Sequence, residues 1–181
     1  MSGRPFIRLA DRTDLDGFAD HIVRHSAESG REGSLHFAIS RSPERASVRE
    51  HARQRWERAL EESLWGRCFL LVEPVRGWVV GHLELRGGRF SAEMHRAILG
   101  MGIERGYTRK GHGQQLMEAA IGWAKRTGKV AWIDLGVFEH NLPARSLYQR
   151  MGFVENGKRK DAFRIDSGMQ VTDISMSLRI G

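Results

Sequence analysis

The sequence predicts an α/β fold, a mixed, strongly twisted sheet of about seven strands with helices on both faces. Three observations carry this. The chain opens with a short strand and then a helix. Residues 68–104 read as three consecutive strands joined by turns, as in an antiparallel meander. From Gln114 the apolar period switches to helical, and the apolar run 130–137 follows, so strand, loop, helix and strand imply a parallel crossover.

At 181 residues the chain fits one domain over residues 1–181. With 40% hydrophobic and 28% charged residues it reads as globular. Its longest apolar runs fall short of the roughly 20 residues of a membrane span, and the N-terminus has no apolar signal stretch, which predicts a cytoplasmic protein. Cys68 stands alone in a strand-like run and reads as a core thiol, with no internal disulfide and no cysteine metal cluster. The net charge of +7 admits nucleic acid, an anionic surface or an anionic cofactor. Because the basic residues are scattered and interleaved with Glu, the pattern argues against a nucleic-acid binder.

Each element has its own signal. Phe6-Ile7-Arg8-Leu9 alternates as a strand, and Leu15, Phe18, Ala19, Ile22 and Val23 repeat at helical spacing after a cap in residues 13–16. Residues 28–42 are polar and glycine-bearing and read as a long loop, with Leu35, Phe37 and Ile39 as its apolar points. Ser42-Pro43 predicts an N-cap and first-turn proline for a second helix. Val48, Ala52, Trp56, Ala59 and Leu60 mark its buried face, and its arginines and glutamates form a solvated one.

Residues 68–73 and 78–86 form a hairpin around Pro74 and Gly77, and residues 95–104 alternate as the third strand. In the helix from Gln114, Leu116, Met117, Ala120, Ile121, Trp123 and Ala124 face inward, with Gly128 as the stop. Residues 130–137 read as a strand covered on both faces. A last helix begins near Pro143 with Ala144, Leu147, Tyr148 and Met151 on one face. Strands from Phe153 and over 172–178 end the chain.

Thr108-Arg109-Lys110-Gly111-His112-Gly113 lies between a strand and a helix, where unpaired N–H groups and the helix dipole can hold an anion. Gln114-Gln115 after Gly113 excludes the Walker pattern, and three preceding antiparallel strands exclude a dinucleotide fold. The eight histidines read as surface residues; His21 and His25 share helical i, i+4 spacing, but Ile22 stands where a zinc protease needs Glu.

The strand ending Met101-Gly102-Ile103, the loop RKGHGQQLM and the segment NLPARSLYQRMGF together resemble the GNAT superfamily of N-acetyltransferases. The likeness is specific from Ile98 to Phe153, and the tail from Gly157 is similar to ribosomal-protein and small-amine members. It implies acetyl-CoA as cosubstrate and a primary amine as acceptor, whether a small amine, an amino acid, or a protein N-terminus or lysine. The pyrophosphate would rest on Arg109, Lys110, Gly111, His112, Gly113 and Gln114, and the pantetheine would lie along Met101, Gly102 and Ile103. Asn141 would contact the CoA arm, Tyr148 would protonate the thiolate, and a backbone N–H near Met101 would hold the oxyanion.

Two positions depart from the family. Thr108 stands where the loop usually begins with Gln or Arg, and Gly136 stands where ribosomal-protein relatives carry a Glu. The base is therefore sought elsewhere: Glu104 first, then Glu84 and Asp134. Each has a plain alternative: Glu104 paired with Arg105, Glu84 on a solvated face, Asp134 paired within the sheet. Asn141 fits a helix cap equally well. Leu35 and Phe37 suit either a pocket lining or a homodimer contact. The other reading of the resemblance is a non-catalytic module that binds acyl-CoA.

Overall fold

A computed structural model describes residues 3–32, 34, 43–165 and 168–181. In chain order its elements are β1 (Phe6–Leu9), α1 (Leu15–Glu28), α2 (Arg45–Glu57), β2 (Gly66–Glu73), β3 (Trp78–Gly87) and β4 (Arg96–Ile103). There follow α3 (His112–Thr127), β5 (Trp132–Phe138), α4 (Leu142–Arg150), β6 (Val154–Arg164) and β7 (Gln170–Arg179). The seven strands form one sheet in the order β1-β2-β3-β4-β5-β7-β6, with β4 and β5 parallel and every other pair antiparallel.

Local chemistry accounts for the elements. At the β2–β3 turn the Glu73 carboxylate accepts from the N–H groups of Val75 and Arg76 at 2.8 and 2.9 Å, and Gly77 takes φ +68°. Gly128 ends α3 at φ +64° and donates to the Lys125 carbonyl.

The sheet separates two apolar layers. On one side Leu83, Leu85, Ala97, Leu99, Ile133, Leu135 and Val137 pack under α3 and α4. On the other Cys68, Leu70, Val72 and Val79 pack under α1 and α2. Full burial of a Leu or Ile in either layer contributes about 1.5–3 kcal/mol.

The parallel pairing is short. It runs only through Arg96 with Trp132, Ala97 with Ile133 and Ile98 with Asp134. Beyond it β4 stays paired to β3 as far as Ile103, and β5 stays paired to β7 as far as Phe138, so the sheet divides between them.

Several expectations change. The expected cap Ser42 and the apolar points Leu35, Phe37 and Ile39 lie outside the described residues. The second helix begins at Arg45 with Glu44 as a cap whose side chain accepts from Ser47 Oγ and from no backbone N–H of the first turn, and it ends before Ala59 and Leu60. The third helix starts at His112, two residues early, because Gly111 at φ +81° supplies the turn. Strand β5 is not covered on both faces: Ile133, Leu135 and Val137 are buried while Gly136 is exposed. The helices α1 and α2 cover β2 and β3 on that face and stop short of β5.

Candidate active site

The loop that enters α3 is shaped by two left-handed residues, Arg109 at φ +58° and Gly111 at φ +81°. A non-glycine residue pays about 1–2 kcal/mol for that conformation, so the loop carries backbone strain at Arg109. The first helical bond of α3 runs from Gln115 N–H to Gly111 O at 3.2 Å. The N–H groups of His112, Gly113 and Gln114 therefore have no intrahelical acceptor, and they point out at the positive end of a 16-residue helix. This donor set fits a pyrophosphate.

The side chains of the loop behave differently from its backbone. Lys110 Nζ donates to the Gly106 carbonyl at 2.7 Å, and buried His112 donates from Nδ1 to the Tyr107 carbonyl at 3.0 Å. His112 thus braces the loop from below. A cavity of about 370 Å3 opens beside it, lined by Arg4, Pro5, Tyr107, Lys110, His112 and Gln115.

Three hydrogen bonds fix the phase of β4. Glu104 N–H donates to Val80 O on the β3 side, and His95 O accepts from Ala131 and Trp132 on the β5 side. Because backbone groups alternate along a strand, Met101 and Ile103 turn their N–H and C=O toward the opening beside β5. Gly113 closes the far end: a methyl placed on it would stand 3.0 Å from Leu147 Cδ2, 3.7 Å from Ile103 Cδ1 and 3.8 Å from Met101 Cε. The structure so brings together Met101, Ile103, the start of α3 and α4.

Tyr148 lies in the core under α4, with its ring 5.9 Å from that of Phe153. Burial pushes its phenol up to about 12, so it holds its proton at neutral pH. Asn141 caps α4, its side-chain oxygen accepting from Ala144 N–H at 3.3 Å.

The acidic candidates separate. Glu104 is not paired with Arg105; it accepts from His21 Nδ1 at 2.9 Å and from Arg24 at 2.9 and 3.1 Å. Burial raises its carboxyl, but the His21 and Arg24 bonds together hold it below the usual range. Glu84 is not on a solvated face: it is buried under α2, accepting from Arg55 Nε and Trp56 Nε1, each at 3.0 Å. Asp134 pairs within the sheet, accepting from Arg96 Nε and Nη2 and from Ser177 Oγ.

His21 and His25 are not surface residues. His21 is fully buried, stacks on His25 with ring centres 5.6 Å apart, and meets His82 Nδ1 from its Nε2 at 2.9 Å. Burial holds both His21 and His82 low, and holds His25 at about 4. His25 Nε2 and His82 Cε1 stand 2.5 and 3.0 Å from where a Cβ at Gly102 would be. Sequence reading missed this cluster, since His82 sits in a strand and Glu104 more than twenty residues on. It also missed Asp173 of β7, whose Oδ1 lies 2.9 Å from the Cβ position of Gly136.

Comparison with known proteins agrees with this geometry. The family model "Acetyltransferase (GNAT) family" matches residues 35–153. An L-amino acid N-acetyltransferase of Escherichia coli K12, AaaT, is 32% identical over 95 residues, 52% of this chain and 59% of that protein, so the match spans about three fifths of that relative's length. A GNAT-family acetyltransferase from Streptococcus pneumoniae superimposes with a TM-score of 0.80 at 22% identity, over 98% of this chain and 100% of the other. The acetyl-CoA complex of yncA, a putative acetyltransferase from Salmonella typhimurium, gives 0.79 at 16% identity over 99% and 95%. With its sheet divided between β4 and β5 and a family match over residues 35–153, the chain belongs to the acetyltransferase (GNAT) family.

Proposed function

We propose that this chain transfers an acetyl group from acetyl-CoA to a primary amine by direct attack. The observation that carries the reading is the divided sheet with three unpaired N–H groups of α3 at its end. The N–H groups of His112, Gly113 and Gln114 hold the pyrophosphate, with Arg109 and Lys110 adding positive charge. Met101 and Ile103 offer backbone groups to the pantetheine, and Gly102, having no side chain, leaves room for His25 and His82 on the strand face between them. The Met101 N–H faces the opening and receives the developing oxyanion. Asn141 orients the start of α4 beside the same arm. Bound acetyl-CoA supplies the activated acetyl group.

Proton transfer follows from the hydrogen-bond chain. An ionised Glu104 can only accept, so His21 donates from Nδ1. Neutral His21 then accepts at Nε2, and His82 must donate from Nδ1. The remaining lone pair of His82 lies on Nε2, beside the Cε1 that faces Gly102. Glu104 thereby acts at the site through His21 and His82, which take the acceptor's proton. The neutral amine forms its bond to the acetyl carbon, the C–S bond breaks with its electron pair on sulfur, and the Tyr148 phenol protonates the sulfur. The second proton lost by nitrogen restores the phenol.

The test is thiol release from acetyl-CoA with an amine panel, comparing the wild type with Glu104→Gln. The reading requires turnover by the wild type and a kcat at least tenfold lower in the variant. Wild-type protein that binds acetyl-CoA but acetylates no amine would contradict it.

A further inference from the structure

On the face of the sheet opposite α3 and α4, the opening between β4 and β5 has one charge of each sign on its banks. Gly100 and Gly136 stand two residues beyond the last pair, Ile98 with Asp134, so continuing the register sets them level across the mouth. Neither carries a side chain, and a neighbouring strand enters the space each leaves. Arg86 of β3 brings Nη2 to 3.7 Å from the Cβ position of Gly100. Asp173 of β7 brings Oδ1 and Oδ2 to 2.9 and 3.2 Å from that of Gly136.

These two charges differ from the others in how they are paired. Asp14, Glu84 and Asp134 each accept short bonds from an arginine, at 2.5 to 3.0 Å. Among the described residues Asp173 has no hydrogen bond or ion pair. Arg159, opposite it on β6, lays its guanidinium over the Phe163 ring at 5.5 Å. Arg86 has Glu84 at 3.9 Å, a carboxylate already held by Arg55 and Trp56, and its side chain is 44% exposed.

We infer that the acceptor is a zwitterionic α-amino acid, its ammonium held by Asp173 and its carboxylate by Arg86. Paired strands lie about 4.8 Å apart, and β4 and β5 have begun to separate at this level. A charge-assisted hydrogen bond is about 2.8 Å, so a molecule carrying both charges on neighbouring carbons can offer one such bond to each bank. A simple alkylamine answers only Asp173 and leaves Arg86 with Glu84 alone, at 3.9 Å. The face is also the one from which an amine reaches the acetyl group opposite Tyr148. This inference rests on the N-acetyltransferase reading and narrows its acceptor.

The experiment measures acetyl-CoA-dependent thiol release with the twenty L-amino acids and with their α-amides, which lack the carboxylate. Binding of acetyl-CoA is followed separately by calorimetry. The wild type should use at least one amino acid with a kcat/KM at least tenfold above that of its amide. Arg86→Gln should raise the KM for that amino acid at least tenfold more than the KM for its amide, and Asp173→Asn should raise both. Equal use of acid and amide by the wild type, or equal effects of Arg86→Gln on the two, would overturn the inference. So would turnover of amines but of no amino acid. Failure of the wild type to bind acetyl-CoA would instead remove the transferase reading beneath it, and the calorimetric arm tells the two failures apart.

Discussion

His82 Nδ1 lies 2.9 Å from His21 Nε2, and this contact joins the strand face at Gly102 to the carboxylate of Glu104 behind α1. It sets a catalytic expectation and a stability expectation, because buried histidines kept neutral cost the fold in acid.

The acid limit can be worked out in sign. His25 titrates at about 4 in the fold against 6.5 for a free side chain, so between those values the unfolded chain binds the extra proton. Stability is full above pH 6.5 and falls as the pH drops toward 4, by roughly 3 kcal/mol from His25 if the shift acts in full. The lowered values of His21 and His82 act in the same direction. Urea unfolding at pH 7.5, 6 and 5 should show a declining midpoint; a constant midpoint would contradict the buried neutral cluster.

Tyr148→Phe removes the phenol while keeping the ring in the core beside Phe153. Thiol release should fall about 100-fold in kcat, the scale of a lost general acid. The dissociation constant of acetyl-CoA should stay within twofold of the wild type. A variant with unchanged kcat would assign the proton to water.

Glu84→Ala leaves Arg55 and the Trp56 indole without their shared acceptor. Breaking such a buried pair from one side should cost about 3 kcal/mol in denaturant unfolding. A loss below half of that would show that the pair is solvated after all.

Gly113→Val tests the packing of the first turn of α3. Its Cβ would stand 3.0 Å from Leu147 Cδ2, so α4 must shift or the helix start must tilt. Weakened acetyl-CoA binding with a lowered melting temperature is expected, whereas wild-type values for both would place Leu147 farther away.

Much of the fold was legible because its signals are local. The alternation around Met101 and Ile103, the helical period from Leu116 to Ala124 and the stop at Gly128 each depend on a few neighbouring residues. The run around Leu135 misled because Asp134 and Gly136 interrupt it only once each, and no local signal says that helices stop short of β5. The strand-to-helix turn at Gly111 was readable for the same local reason. His21, His82 and Glu104 come from three elements and meet only through the tertiary fold, so their spacing in sequence carries no sign of the chain they form. Asp173 likewise reaches Gly136 only through the β5–β7 register.

The most direct test of the central claim is a calorimetric titration of the protein with acetyl-CoA, repeated with Gly111→Asp. At Gly111 an added Cβ meets nothing within 4 Å, so the variant should keep its fold while placing a carboxylate among the N–H groups proposed to receive the pyrophosphate. Left-handed backbone at this position should cost it about 1 kcal/mol of stability, which circular dichroism and a melting curve will register. Saturable 1:1 binding by the wild type, weakened at least tenfold in the folded variant, is the predicted result; no binding by the wild type, or equal binding by both, would contradict the account.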